Sequence, residues 1–363
     1  MERGADIQCL LSVLSRPEVA ANLDPPGWTQ LIVVARSTNL LGALASRLQA
    51  ADVATPAAVA RHLEGARQLG HRQRKSVVWE AHCLHDALTG LGAPVVLLKG
   101  AAYVLGYPVL AEGRLFGDID FLVPRAALGD VESRLMLAGW ASASADAYDQ
   151  RYYREWMHEL PPMMHVRRGT LLDVHHTILP LTARRSPDPQ TILGRALPLP
   201  AWPGLPGLRV PAPEDLLMHS ITHLMHEGEL HNGLRDLHDI HGMVAAFAST
   251  PGFWQRLVRQ AAGNDLAPPV AAGLVLAHRT FGTKVPPDVL SELDAAAGWR
   301  RSAVAWAYGI ALRHPSPRHR PWWACAAHGA LYLRGHWLRM RPSQLMRHLA
   351  VKSWKSAKAW REE

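Results

Sequence analysis

The sequence predicts an α+β protein in which a short strand-bearing core lies between two helical regions. Three observations lead there. Apolar residues recur at three- and four-residue spacing through roughly the first 90 residues, short Val/Leu runs replace that period in the next stretch, and helical spacing resumes at Pro213. The 363 residues suffice for two or three packed units, and a content of 48% hydrophobic and 19% charged residues allows a sizeable core. No run of about 18 uninterrupted apolar residues exists to span a bilayer. The segment "MERGADIQCLLSVLS" has an early acid and no basic stretch followed by a cleavage site, so a cytoplasmic protein is expected.

Taken in order, residues 1–90 form a helical N-terminal region. Both "WTQLIVVARSTNLLGALASRLQAA" and "VVWEAHCLHDALTGLG" carry the helical period, and the second ends at glycines suited to a helix C-cap. Residues 91–185 form the core. "APVVLLKG" reads as a buried strand, "DIDFLVP" as a second stopped by Pro124, "AALGDVESRLMLAGW" as a helix ending at Gly139, and "HVRRGTLLDVHHTI" as a hairpin turning at Arg168-Gly169. Residues 186–212 are rich in Pro and Gly and read as a linker. A helical C-terminal lobe occupies 213–312, where Pro213 suits a first helical turn and Glu214 and Asp215 suit its positive end. Residues 313–363 form a helical tail.

The net charge of +8 lies in that tail, which holds eleven Lys or Arg against two acids, whereas the other residues hold 28 bases and 29 acids. Contact with a polyanion or a protein partner is therefore expected only through residues 313–363. Trp322, Trp323, Trp337, Trp354 and Trp360 are interleaved with the tail's basic residues. The reading preferred is a helix that docks its tryptophans on the body and shows its bases to water; single-stranded nucleic acid or an anionic membrane surface are the alternatives. Cys9, Cys83 and Cys325 are odd in number and form no CxxC pair, as expected of reduced thiols.

The chemistry concentrates in "GRLFGDIDFLVPR". Strand residues two apart face the same side, so Asp118 and Asp120 form one acidic patch while Ile119 and Phe121 face away. Neighbouring carboxylates repel, and a divalent cation with oxygen preference removes that cost. Asp173, on the strand "TLLDVHH", is a third acid available to the same group, which makes a two-metal arrangement feasible. Lys99 and Gly100 stand where a strand gives way to a helix, so bare amides and an ammonium meet there, and Arg114 is a second cation. Both cations also have a plain reading as salt-bridge partners of the acids. His175 shares the face of Asp173, as a packed or a catalytic histidine.

The order "VVLLKG", "R-x-x-x-D-I-D-F-L-V", "LLDVHH" and "PEDLLMHSITHLMHE...LRDLHDI" resembles the uncharacterised nucleotidyltransferase family, a branch of the DNA polymerase beta-like nucleotidyltransferase superfamily, over roughly residues 25–250. The resemblance implies a small mixed sheet with flanking helices, Asp118, Asp120 and Asp173 as catalytic carboxylates holding Mg2+ (or Mn2+), and Lys99, Gly100 and Arg114 toward the nucleotide. The implied reaction is attack on the α-phosphate of a nucleoside triphosphate, leaving a nucleotidyl group on an acceptor such as a peptide or small molecule. It also implies Arg235 and Asp239 as a charged pair of the helical lobe, and with His175 and His223 these are candidates for a substrate cleft. The chain departs from the superfamily in having Gly100-Ala101 instead of Gly-Ser, a longer stretch between Gly100 and Asp118, and His176 where relatives have an aromatic residue. The missing serine suggests an alternative, a catalytically silent nucleotide-binding regulator or scaffold. His219, His223 and His226 at helical spacing, with His238-Asp239, suggest another, an HD-type metal phosphohydrolase whose signature is incomplete here.

Overall fold

A computed structural model describes residues 7–144, 146–293, 298–315 and 320–340. The N-terminal helices are α1 (Ile7–Ser15), α2 (Pro25–Ser37), α3 (Leu41–Ala50) and α4 (Ala57–Leu88). Asp24 caps α2 by accepting from the Gly27 amide at 2.8 Å. The apolar period that runs through α2 and α3 is broken at Asn39, whose φ of 56° turns the chain. The end of α4 is followed by Gly90 and Gly92, both at positive φ.

The core contains β1 (Val95–Leu97), α5 (Lys99–Gly106), α6 (Pro108–Ala111), β2 (Ile119–Leu122), α7 (Leu128–Leu137), β3 (Trp140–Ser142), α8 (Ala147–Trp156), β4 (Met163–His165) and β5 (Leu171–His175). α9 (Pro189–Arg195), β6 (Leu197–Pro198) and β7 (Leu208–Val210) follow. One mixed sheet runs β3-β4-β5-β2-β1-β7-β6. β2 and β5 pair in parallel and β1 runs antiparallel to β2. Every residue of β1 and β2 is buried, as central strands covered on both faces require. The expected hairpin is present: β4 and β5 are antiparallel, and Gly169 adopts the positive φ of its turn.

Residues 186–212 are not a linker of coil. They hold α9, β6 and β7, and β7 pairs in parallel with β1, so this segment completes one edge of the sheet. Proline is tolerated because Pro198 lies on the outermost strand, where a missing donor costs no ladder bond. The strands are only two and three residues long, too short to show a period in the sequence.

The C-terminal helices are α10 (Pro213–His226), α11 (Gly233–Phe247), α12 (Phe253–Gly263), α13 (Ala267–Phe281), α14 (Pro287–Leu293), α15 (Gly298–Arg313) and α16 (Trp322–Arg339). Glu214 and Asp215 are not solvated at the helix start. Both are buried, with Arg195 of α9 paired to both and Arg256 of α12 to Glu214. One apolar cluster extends from Ile7 to Leu331 and joins all three regions.

The tail departs from expectation. α16 packs through Ala324, Ala327, Leu331 and Gly335, while Trp322, Trp323 and Trp337 remain 82%, 42% and 50% exposed. Small residues let the helix approach the body closely, Gly335 against Gly228, which leaves the tryptophans on other faces. Trp354 and Trp360 lie outside the described residues. No helix among the described residues is long and apolar enough to cross a membrane.

Two long-range ties set the core against α4. Buried Glu80 accepts from Arg168 at 2.7 and 2.9 Å and from the Thr170 hydroxyl at 2.7 Å, fixing the β4–β5 turn. Gln73 accepts from the Phe116 amide at 2.9 Å, fixing the approach to β2. The same approach is held by α3, where a Cβ on Gly42 would collide with the backbone of Gly113. Gly42→Ala is expected to destabilise the protein by about 1–3 kcal/mol through overpacking. Gly65→Ala, on an open face of α4, is expected to stabilise it by about 0.5–1 kcal/mol. Urea unfolding of the two variants checks both signs.

Candidate active site

β2 carries Asp120 on a fully buried strand, with Asp118 exposed one residue before the strand begins. Ile119 and Phe121 are packed away on the opposite face, as the two-residue period dictates. Parallel pairing sets Asp120 in register with Asp173 on β5. Carboxylate oxygens of Asp118, Asp120 and Asp173 consequently lie within 4.8 Å of one another, close enough to share a cation.

Asp120 is 2% exposed and makes two bonds: Lys99 Nζ donates to its Oδ1 at 2.7 Å, and His175 Nε2 donates to the same oxygen at 3.1 Å. Burial opposes its charge, but Lys99 and His175 outweigh burial and hold its carboxyl well below the usual range. Asp173 lacks such partners. Burial, then the charges of Asp120 and Glu159, push it up to about 7. Lys99 begins α5 at φ 42°, a left-handed conformation uncommon for a lysine, and the first amides of that helix have no intrahelical acceptor. A Cβ on Gly100 would stand 2.8 Å from the Phe116 ring, so glycine here also permits close packing.

Lys99, Gly100, Arg114, Asp118 and Asp120 line a cleft of about 200 Å3, whose far wall carries His223, Arg235 and Asp239 from α10 and α11. Arg114 does not pair with the strand acids. Its Nε donates to Asp239 at 2.6 Å, Nη1 donates to the Leu115 carbonyl at 2.6 Å, and the guanidinium lies over Tyr103 and Phe116. The expected Arg235–Asp239 pair is likewise rearranged: Arg235 bonds the adjacent Asp236 at 2.7 Å, because Arg114 occupies Asp239. A larger cavity of about 740 Å3, near Gly90, Pro206 and Arg209, is lined by no carboxylate side chain and shares no lining residue with the cleft.

The histidines of α10 and α11 do not assemble a metal centre. Among the described residues two groups could hold an ion, and neither includes His219, His223, His226, His238 or Asp239. Burial pushes His219 down to about 3, and Lys99 followed by burial holds His223, which lines the cleft, well below its ordinary value. His175 is 2% exposed and bonded to Asp120. Sequence reasoning missed His158 and Glu159, whose segment runs beside β5: the Leu160 amide donates to Val174 and the His176 amide to His158, both at 2.9 Å. That segment is irregular and precedes Pro161-Pro162, so no periodicity marks it.

The raised value of Asp173 has a sign. The folded, metal-free protein binds this proton more tightly than the unfolded chain, so stability from the group is lost as pH rises from about 4 through 7. Asp173→Asn is therefore expected to raise the stability at pH 8 by roughly 1 kcal/mol after solvent screening, with the gain shrinking toward pH 5. Calorimetry across that range checks it.

The profile of the family described as uncharacterised nucleotidyltransferase matches residues 24–282. The match starts at Asp24, the cap of α2, and ends at Gly282, the left-handed residue that closes α13. No curated protein and no solved structure matches the chain. With the three acids, the Lys99-Gly100 turn and most of the chain inside the matched span, the protein belongs to the uncharacterised nucleotidyltransferase family.

Proposed function

We propose that the protein transfers a nucleoside monophosphate from a nucleoside triphosphate to an acceptor hydroxyl on a peptide or small molecule, at the cleft between β2, β5 and α10. The observation that carries this reading is the convergence of Asp118, Asp120 and Asp173, the first two of which line a cleft together with Lys99 and Gly100.

The residues fit Mg2+ (or Mn2+): all three ligand atoms are carboxylate oxygens, and burial together with the nearby charges of Asp120 and Glu159 disfavours a bare Asp173 carboxylate, a cost that a cation relieves. Such an ion, when bound, supplies charge stabilisation to the transferring phosphoryl group. Lys99 and the first amides of α5 hold the phosphates, and Arg114, locked by Asp239 over Tyr103 and Phe116, keeps the cleft in shape beside them. Asp173 is the acid on the acceptor side. His223, Arg235 and Asp239 form the wall against which the acceptor is oriented.

A second reading, a nucleotide-binding regulator without turnover, is favoured by one observation. Lys99 is engaged by Asp120, and the turn carries Ala101 with no hydroxyl to offer a phosphate. Binding of nucleotide with Mg2+ but without pyrophosphate release selects this second reading.

Incubation with α-labelled nucleoside triphosphates and candidate acceptors tests the transfer. Asp118→Asn and Asp120→Asn are each expected to lower label transfer by at least about 100-fold. Undiminished transfer by both variants overturns the assignment of the acids.

A further inference from the structure

Beyond the acidic group, a second cluster of a different chemical kind stands against Asp120. His158, Glu159 and His175 each bring one ligand atom within 4.8 Å of the others. Glu159 Oε2 lies 3.4 Å from His175 Nδ1 and 3.8 Å from His158 Nε2. These separations are long for hydrogen bonds, and His175 Nδ1 is buried with no hydrogen-bond partner. They are close to the edge of roughly 3.3 Å that a tetrahedral ion with bonds near 2.0–2.1 Å sets between its ligands.

The tautomer of His175 sharpens the point. A carboxylate can only accept, so the bond to Asp120 places the proton on Nε2. In the neutral ring Nδ1 then carries a lone pair 3.4 Å from the Glu159 carboxylate, an arrangement that repels until a second ring proton or a metal cation stands between them. A ligating histidine whose other nitrogen donates to a carboxylate is also how proteins orient an imidazole on a metal.

We propose that His158, Glu159 and His175 bind a divalent transition ion of the Zn2+ class, and that the ion, through His175, positions Asp120. Two imidazole nitrogens with one carboxylate oxygen suit such an ion and are poor ligands for Mg2+. The site is thus distinct in metal from the all-carboxylate group next to it, and it stands whether or not that group transfers nucleotides. Glu159 and His158 are held in place by backbone bonds of their segment to β5 and by the bridge between Glu159 and His175.

The test is titration of the chelator-treated full chain with Co2+, followed by visible absorption and competition with Zn2+. One tetrahedral Co2+ per chain is expected, displaced by Zn2+, with no thiolate band in the near ultraviolet. Glu159→Gln and His158→Asn are each expected to weaken this binding by at least about 100-fold. The double variant Asp118→Asn, Asp173→Asn is expected to retain it, since neither residue is a ligand here. Undiminished binding by Glu159→Gln, a thiolate band, or no stoichiometric binding by the wild type overturns the site. Should the single variants fail to fold, zinc-edge X-ray absorption of the wild type decides: mixed imidazole and carboxylate neighbours support the site, and sulfur or oxygen alone refutes it. Absence of label transfer by the wild type with Co2+ binding intact counts against nucleotidyl transfer alone.

Discussion

A carboxylate inside a sheet stays ionised only when fixed cations and donors replace the water it has lost, and Asp120 imposes that demand on the molecule. Lys99 and His175 meet it from two neighbouring elements, one from the first residue of α5, just past β1, and the other from the end of β5. Each compensation brings a constraint with it. Lys99 is held at a left-handed φ that costs on the order of 1–3 kcal/mol, which the ion pair with Asp120 offsets. His175, fixed by Asp120, turns its second nitrogen toward Glu159. Asp173, in register with Asp120 but without a partner cation, is pushed up to about 7 by burial and then by the charges of Asp120 and Glu159.

Elements distant in sequence keep that arrangement in place. α4 acts as a strut: Glu80 holds the turn before β5, and Gln73 holds the residue that leads into the "GDID" segment. α3 meets the same approach so closely that Gly42 and Gly113 admit no side chain. From the other side α10 and α11 close the cleft with His223, Arg235 and Asp239, and Asp239 takes Arg114 for itself. The chemistry thus sits between a rigid sheet and a helical wall, each with its own anchors.

The strands β1, β2 and β5, the β4–β5 turn and the long helices were legible because each follows from local rules: hydrophobic period, Pro and Gly punctuation, and positive-φ turns. Asp118, Asp120 and Asp173 were legible as acids where unpaired carboxylates are costly. Other features followed no local rule. The sheet edge formed by β6 and β7 lies in two- and three-residue strands that carry no period. The docking face of α16 is built of small residues, so the tryptophans that dominate the tail's composition were a poor guide to what it buries. Partner choice among charges was also hidden, since Arg114 had acids near in sequence yet pairs with Asp239, 125 residues away.

By itself, then, the sequence determined which residues could carry chemistry and on which kind of element each lies, because residue type and local period act over a few positions. Tertiary structure alone decided which of them meet. It set Lys99 on Asp120, gave Arg114 to Asp239, left the histidines of α10 and α11 outside both candidate metal groups among the described residues, and brought His158 and Glu159 beside His175. The physical reason is that ion pairing and ligand geometry depend on distances of a few ångströms between segments far apart in the chain, and those distances are set only by how the sheet pairs and what packs on it.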